Sequence, residues 1–177
     1  MARLRKFVCY RTTERPNTRK SKYTKKAYVK VVPAVKISRF QSGDAAKKFD
    51  YKVIVVPKTN LQIRQNALES ARQSSNRWLE KNLAKNDFFL KMRVYPHHVL
   101  RENPLASGAG ADRLSTGMAH SFGKSIGIAA QLRKGQPLFE VNVNQNGLET
   151  ARQACKRVTH KVPCSCLVQV FKNDKLV

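Results

Sequence analysis

The sequence predicts an α+β fold in which two related strand-helix-strand halves form a two-layer sandwich. Segments rich in Val and Ile alternate with two segments of helical periodicity over residues 31–177, which we expect to form a single domain. The two helical segments also begin almost identically, as Asn66-Ala-Leu-Glu-Ser-Ala-Arg-Gln73 and Asn146-Gly-Leu-Glu-Thr-Ala-Arg-Gln153. This repeat favours one sheet whose single face is covered by both helices.

The first half contains several predicted strands and one predicted helix. Runs rich in Val, Ile and aromatic residues, mostly bounded by prolines, predict strands at Ala27–Val32, Lys52–Val56, Leu61–Ile63 and Phe88–Tyr95. From Asn66 to about Leu83 the apolar residues, including Trp78, fall on one helical face.

The second half repeats this pattern. Strands are predicted at Ser125–Arg133 and Leu138–Val143, joined by a turn over residues 134–137. A clean helical period then runs from Leu148 to Val162 and stops at Pro163, after which Cys164–Phe171 is predicted to be a strand.

Both helical segments carry a capping signal. Each opens with Asn and has Glu three residues later, which predicts N-caps at Asn66 and Asn146. Helices placed in this way on one sheet face leave a row of basic side chains outward, available to phosphates or merely solvated. These are Arg72, Arg77, Arg152, Lys156 and Arg157.

The charge of the chain points to a polyanionic partner. There are 35 Lys and Arg against 11 Asp and Glu, a net charge of +24. Residues 1–50 carry 15 basic and 3 acidic side chains, whereas residues 101–150 carry 5 and 4. No apolar run approaches the ~20 residues that cross a bilayer, and the first ten residues lack a signal-peptide core. We therefore expect a cytoplasmic protein with no membrane or small-molecule partner.

Residues 1–30 form a predicted basic arm. Its Lys and Arg alternate with Ser, Thr and the aromatic residues Phe7, Tyr10, Tyr23 and Tyr28, without amphipathic periodicity. Such a segment can follow a phosphate backbone and offer rings to bases or sugars; a solvated charged tail is the alternative. The predicted RNA-binding residues are Arg3, Arg5, Lys6, Arg11, Arg15, Arg19, Lys20, Lys22, Lys25, Lys26 and Lys30.

Residues 96–124 are predicted to be a long internal loop. Five of the eight glycines lie between Gly108 and Gly127, and long loops of this kind are functional or disordered. Apolar residues spread through the loop favour a defined shape. Gly108 and Gly110 permit backbone conformations that a side chain forbids, as a loop wedged against RNA requires; a flexible hinge is the alternative.

Two patterns in this region resemble catalytic motifs. Gly123-Lys124-Ser125 lacks the glycine that a P-loop needs five positions before Gly123, where Met118 stands. His97 and His98, as neighbours in an extended segment, point to opposite sides, so we expect one packed under the loop and one facing RNA. We predict no catalytic residue and no cofactor.

The four cysteines indicate a reducing compartment. Cys9, Cys155, Cys164 and Cys166 show neither a disulfide framework nor C-x-x-C spacing. Buried reduced thiols are the simpler interpretation. A zinc site formed by Cys155, Cys164 and Cys166 with His160 is the alternative, and we predict no metal site.

Several motifs together resemble one family of large-subunit ribosomal proteins. They are Arg93-Val-Tyr-Pro-His-His-Val-Leu-Arg-Glu-Asn103, Gly108-Ala-Gly-Ala-Asp-Arg-Leu-Ser-Thr-Gly-Met118, Phe122-Gly-Lys124, the shared helix start at Asn66, Cys9-Tyr-Arg11 and Arg15-Pro16. Their order and spread over nearly the whole chain are similar to those of the universal sixteenth large-subunit protein, called protein ten-e in archaea and eukaryotes. The end at Val177, without the longer eukaryotic tail, favours an archaeal-type member.

The resemblance implies a structural role in translation. Members of that family have a hammerhead-like α+β domain lodged between ribosomal RNA helices near the 5S RNA, beside neighbouring ribosomal proteins. They help to hold tRNA, while peptide transfer is catalysed by RNA. The resemblance therefore implies that the arm runs through ribosomal RNA and that the loop reaches toward the peptidyl-transferase centre. The loop residues are His97, His98, Arg101, Glu102, Asn103, Gly108, Gly110, Asp112, Arg113 and Lys124.

Two other functions stay open at the level of sequence. A free-standing RNA-binding factor acting on tRNA or immature subunits fits the same charge. An enzyme dependent on a nucleotide or a metal would use Lys124 or the two histidines.

Overall fold

The protein consists of two antiparallel sheets and two helices in the computed structural model, which describes residues 5–11, 29–103, 108–110, 123–172 and 175–176. The elements in chain order are β1 (Gln41–Gly43), β2 (Tyr51–Pro57), β3 (Leu61–Arg64), α1 (Gln65–Asn82), β4 (Phe88–Met92), β5 (His98–Glu102), β6 (Lys124–Leu132), β7 (Phe139–Val143), α2 (Leu148–Thr159), β8 (Cys166–Lys172) and β9 (Lys175–Leu176). Short 3-10 turns lie at Phe7–Tyr10 and Gln145–Gly147. The predicted α+β class is confirmed.

The large sheet has the strand order β1-β4-β7-β2-β8-β9 within the described residues, and every neighbouring pair is antiparallel. Val53 of the central strand β2 lies opposite Val141 of β7 and Val170 of β8. Alternate residues of a strand face the same side, so these valines share one buried face with Val55 and Phe139.

Both helices cover that face. In α1 the buried residues Leu68, Ala71 and Leu79 follow helical spacing, and in α2 the buried residues include Ala151 and Val158. All five belong to the main core cluster together with the valines of the large sheet. Full burial of a Leu side chain stabilises the fold by about 1.5–3 kcal/mol. Neither described helix is long and apolar enough to span a membrane.

The small sheet has the order β3-β6-β5. The long strand β6 pairs with β3 through Ile63 opposite Ala130, and with β5 through Val99 opposite Ile128. Because the small sheet is separate from the large one, the prediction of a single sheet is wrong. The turn at residues 134–137 is confirmed by the Gln136 to Arg133 backbone hydrogen bond, but it links strands that belong to different sheets.

The predicted strand at Ala27–Val32 is wrong for its described part. Residues 29–32 form no ladder, and Val31 and Val32 are exposed. Only Val29 is buried, against Val99 and Ile128. A Val-rich run has the propensity of a strand, but without a partner strand it cannot satisfy its backbone groups as one.

The predicted N-caps at Asn66 and Asn146 are also wrong. Helix α1 begins at Gln65 directly after β3, so Asn66 lies within its first turn, and Asn146 lies within the 3-10 turn that precedes α2. The shared sequence has another use. Gln73 donates to Glu69 at 3.0 Å and Gln153 donates to Glu149 at 3.1 Å, one helical turn apart in each case.

The predicted loop at 96–124 is shorter than expected. Its ends are the strands β5 and β6, which pair with each other, so the connection spans residues 103–123. Short strands with mixed polarity such as His98–Glu102 give no clear alternation. The remaining predicted elements are confirmed with boundaries that differ by a few residues.

Candidate RNA interface

The start of the arm is fixed on the small sheet through Tyr10. This residue closes the turn Phe7–Tyr10 and is 8% exposed. Its hydroxyl donates to Glu102 Oε2 at 3.0 Å, and the Arg5 guanidinium forms an ion pair with the same carboxylate. Burial raises the pKa of the Tyr10 phenol, so it stays protonated and donates at neutral pH. We call Arg5, Tyr10 and Glu102 the arm clamp.

Strand β3 also binds the backbone of this segment. The Gln62 side chain donates to the Tyr10 carbonyl at 2.9 Å, and the Gln62 backbone N–H donates to the Arg11 carbonyl at 3.2 Å. Arg64 Nη1 donates to the Arg5 carbonyl at 3.1 Å, and its guanidinium lies 5.5 Å from the centre of the Tyr10 ring. Two residues of β3 thus bind backbone carbonyls at both ends of the segment 5–11, which therefore lies against the small sheet.

The two described ends of the arm lie on opposite faces of the small sheet. Tyr10 packs with Leu100 and Ala129, whereas Val29 packs with Val99 and Ile128. Adjacent strand residues such as Val99 and Leu100 point to opposite faces, so the Tyr10 and Val29 side chains contact opposite faces of the small sheet.

The structure changes the assignment of several arm residues. Arg5 belongs to the clamp, and the buried Tyr10 ring is not presented to bases as predicted. Lys6, Arg11 and Lys30 are exposed. The other predicted arm residues lie outside the described part of the chain: Arg3, Arg15, Arg19, Lys20, Lys22, Lys25 and Lys26.

The base of the internal loop is rigidly built. Glu102 at the end of β5 lies opposite Lys124 at the start of β6. Gly123, just before β6, has φ +76°, and a Cβ there would lie 2.8 Å from the Glu102 carbonyl carbon. Both conditions favour Gly at this position. The arm clamp therefore holds the same point, Glu102, from which the loop leaves the sheet.

Further along the loop, Gly108 and Gly110 have φ of +118° and +77°. Among the described residues no heavy atom lies within 4 Å of a Cβ built at either position, so the feature that favours Gly there is the positive φ. Asp112 and Arg113 lie outside the described residues.

The two histidines differ in exposure: His98 is buried and His97 is exposed. His98 Nδ1 accepts a hydrogen bond from Gln131 Nε2 at 3.2 Å. The same amide nitrogen lies 3.4 Å from Gln62 Oε1. His98 is thus linked through two glutamines to the strand that binds the Tyr10 carbonyl.

His97 is exposed and ends a row of aromatic rings. Its ring lies 5.5 Å from that of Tyr95, which stacks on Phe40 at 5.4 Å between centroids. Tyr95 is 49% exposed. Exposed aromatic rings beside basic residues are suited to contact with bases or sugars.

Most of the predicted helix-face cations point outward. Arg77, Arg152, Lys156 and Arg157 are exposed. The guanidinium of Arg157 lies 3.9 Å from the centre of the Trp78 ring, which joins α2 to α1. At this distance a cation is attracted by the electron-rich ring face.

Arg72 is the exception. Its side chain is 12% exposed and makes a two-point contact with Glu69, at 2.9 Å through Nε and 2.7 Å through Nη2. The hydrogen bond from Arg72 lowers the pKa of Glu69. The prediction that Arg72 points outward is therefore wrong, because a carboxylate one turn earlier on the helix holds the guanidinium along the surface.

The cysteines and the glycine-lysine pair show no enzymatic geometry in the described residues. Cys155 is fully buried, and burial raises its pKa to about 12. Cys164 and Cys166 place their sulfurs 3.5 Å apart, and across the described ranges no group of three or more ligand side chains could hold a metal ion. Lys124 begins a strand, whereas a P-loop lysine begins a helix.

Comparison with known proteins gives the family. The family described as Ribosomal protein L16p/L10e matches residues 18–169 of this chain of 177 residues. The chain belongs to the L16p/L10e family.

Two archaeal relatives of this L16p/L10e chain show the extent of the similarity. "Large ribosomal subunit protein uL16" of Methanococcus maripaludis strain C5 is 41% identical over 174 residues, which are 98% of each chain. The protein of the same name from Methanocella arvoryzae is 44% identical over 155 residues, 88% of this chain and 90% of the relative. The resemblance read from the loop and arm motifs is confirmed.

Several residues of this L16p/L10e interface were missed at the level of sequence. Gln62 and Gln131 lie opposite each other on the small sheet, each between two apolar residues of its strand. This alternation in the sequence could have predicted that both side chains share one polar face. Lys81 near Trp78 had no signal beyond its charge.

Proposed function

We propose that this chain is a structural component of the large ribosomal subunit that binds ribosomal RNA and helps to position tRNA near the peptidyl-transferase centre. Family membership and the names of the archaeal relatives support the subunit assignment. The observation that carries the positional role is the arm clamp, because it fixes the loop base and the arm at one carboxylate, Glu102.

Ribosomal RNA binding rests on charge and its exposure. The net charge is +24, with the densest basic segment in residues 1–50. Exposed cations that the sequence predicted to bind RNA extend this surface to the helices, and in the described chain they include Lys6, Arg11, Lys30, Arg77, Arg152, Lys156 and Arg157. Neutralising phosphates with such side chains releases counterions and drives binding. The region of the 5S RNA and neighbouring ribosomal proteins complete the proposed surroundings in the cytoplasmic ribosome.

The internal loop has a separate role, which is to position tRNA through its conformation and not through its charge. Residues 103–123 leave a paired strand base whose exit is fixed by Gly123 and Glu102. Residues 101–150 contribute 5 basic and 4 acidic side chains, so little RNA affinity arises there. A nearly neutral loop on a rigid base suits contact with tRNA, and the protein orients RNA without catalysing a step.

The division of labour is tested by replacing Gly108 and Gly110 together with Val. Large-subunit RNA affinity should stay close to that of the wild type, whereas tRNA binding to subunits reconstituted with the variant should fall. Gly135→Val is the matched control, because Gly135 also has a positive φ of +78° in open space but lies outside the loop.

Two outcomes count against the proposal. A collapse of RNA affinity in the loop variant would show that the loop, not the arm, supplies the binding energy. Normal tRNA binding by subunits that contain the loop variant would remove the positional role.

A further inference from the structure

A cleft between the two helices has features that the general charge of the surface does not explain. Ser74, Arg77, Trp78 and Lys81 of α1 and Arg157 of α2 line a cavity of about 330 Å³.

The indole of Trp78 carries a hydrogen-bond donor that the described residues leave unused. Its Nε1 is inaccessible to solvent and has no hydrogen-bond partner among them. Buried donors of this kind are rare, because an unsatisfied N–H has lost its water without gaining an acceptor. An acceptor supplied by a ligand would correct this deficit.

The side chains around Trp78 are cationic and open to a ligand. Arg77 and Lys81 are four residues apart on α1, so they lie on the same side of the helix. Both are exposed, and the structure shows no ion pair for either within the described chain. The nearest acidic residue along α1, Glu80, accepts a hydrogen bond from Asn76 at 2.8 Å.

Arg157 completes the cleft from the second helix. Its guanidinium is held 3.9 Å from the centre of the Trp78 ring. A guanidinium held over a ring in this way retains N–H groups that can make a two-point contact with phosphate.

We propose that this cleft is a binding site for a phosphate group of an RNA backbone. Arg157 contacts a non-bridging phosphate oxygen, and Arg77 and Lys81 neutralise that phosphate and its neighbour. Because Trp78 Nε1 has no accessible surface in the free protein, its hydrogen bond to the phosphate forms when the side chains that cover the indole nitrogen move aside on binding. The proposal rests on the proposed ribosomal RNA function and deepens it by giving one phosphate a specific pocket. The charge of +24 favours a nucleic acid over an acidic protein as the occupant.

Trp78 is the sole tryptophan of the chain, so its fluorescence reports on the cleft directly. Titration of the full chain with a short RNA duplex should change the emission of Trp78 in step with binding followed independently by anisotropy of the labelled RNA. Pyrophosphate at equal phosphate concentration is the second arm of the titration, and it should have a much weaker effect. Binding without a change in emission, or a response to pyrophosphate alone, overturns the proposal.

The double variant Arg77→Ala with Lys81→Ala tests the cations. It should lower the slope of log affinity against log salt by about 2, since each lost phosphate contact removes about 1. Lys58→Ala with Lys134→Ala removes the same charge from exposed positions and should change the slope less. Equal slopes for the two double variants overturn the site.

Trp78→Phe keeps an aromatic surface for Arg157 and removes only the N–H donor. RNA affinity should fall about tenfold, the loss typical of one hydrogen bond to a charged group, with circular dichroism unchanged. Unchanged affinity overturns the indole contact. Failure of the wild-type chain to bind RNA at all would instead contradict the proposed function, so the two failures are distinguishable.

Discussion

Tyr10 and Glu102 lie 92 residues apart in sequence and are joined by a hydrogen bond of 3.0 Å from the phenol to the carboxylate. Tyr10 ends the 3-10 turn near the start of the basic arm, and Glu102 ends the strand from which the internal loop departs. This contact links the segment proposed to bind RNA with the segment proposed to position tRNA.

Tyr10→Phe should destabilise the free protein by about 1 kcal/mol, the usual loss for one hydrogen bond whose acceptor is left partly buried. Urea unfolding measures this. Tyr51→Phe is the matched control, since the Tyr51 hydroxyl has no hydrogen bond in the described structure, and its free energy of unfolding should barely change. Equal losses in both variants would mean that the clamp hydrogen bond contributes nothing.

Gly123→Ala should be more destabilising than Gly135→Ala. Both residues have positive φ, at +76° and +78°, which costs roughly 1 kcal/mol for a residue with a side chain. Only Gly123 adds a steric clash, because its Cβ would lie 2.8 Å from the Glu102 carbonyl carbon. Chemical denaturation of both variants gives the difference, and equal costs would contradict the crowded loop base.

Glu69→Gln should reduce stability by about 1 kcal/mol at pH 7, because it removes a partly buried two-point contact with Arg72. The hydrogen bond from Arg72 lowers the pKa of folded Glu69 below its ordinary value of 4.5. A lowered pKa gives stability that is present above 4.5 and is lost as pH falls through the folded value. The difference between wild type and variant in thermal unfolding should therefore shrink below that pH.

Glu149→Gln is the control for this prediction. Glu149 occupies the corresponding position of the sequence repeat, as the second residue of α2, and accepts from Gln153. It is exposed and has no arginine partner in the described chain. Its replacement should change stability by no more than a few tenths of a kcal/mol. A pH-dependent loss as large as that of Glu69→Gln would contradict the assignment to Arg72.

The arm should dominate the salt dependence of RNA binding. Changing Lys20, Lys22, Lys25 and Lys26 to Gln should lower the slope of log affinity against log salt by about 3–4, if each contacts one phosphate. The same change at the exposed body residues Lys48, Lys58, Lys85 and Lys134 should lower it less. Filter binding over a range of KCl concentrations compares them, and a larger effect in the body set would contradict the arm assignment.

Periodic patterns predicted the helices and most strands because burial on one face leaves a local record in sequence. Leu68, Ala71 and Leu79 are all fully buried, as their spacing indicated. Pairing between strands leaves no such record. The separation of β3, β5 and β6 into a second sheet, and the absence of a partner for residues 29–32, therefore could not be predicted from local patterns.

The candidate site was predictable in composition and less so in orientation. On charge alone, Arg72 and Arg157 were equally good candidates for contact with phosphate. In the structure, Arg72 is held along α1 by Glu69, whereas Arg157 of α2 lies over the Trp78 ring of α1. The burial of Tyr10 likewise depends on Glu102, far away in the chain. Such contacts follow from tertiary packing, which neighbouring residues do not specify.

The most direct test of the account is sedimentation of the tagged full chain from cell extract, with and without a high-salt wash. We expect one copy in each large subunit, retained at moderate salt and released only when screening weakens the phosphate contacts. Sedimentation as a free species of 20.1 kDa in both conditions would contradict the assignment to the large subunit.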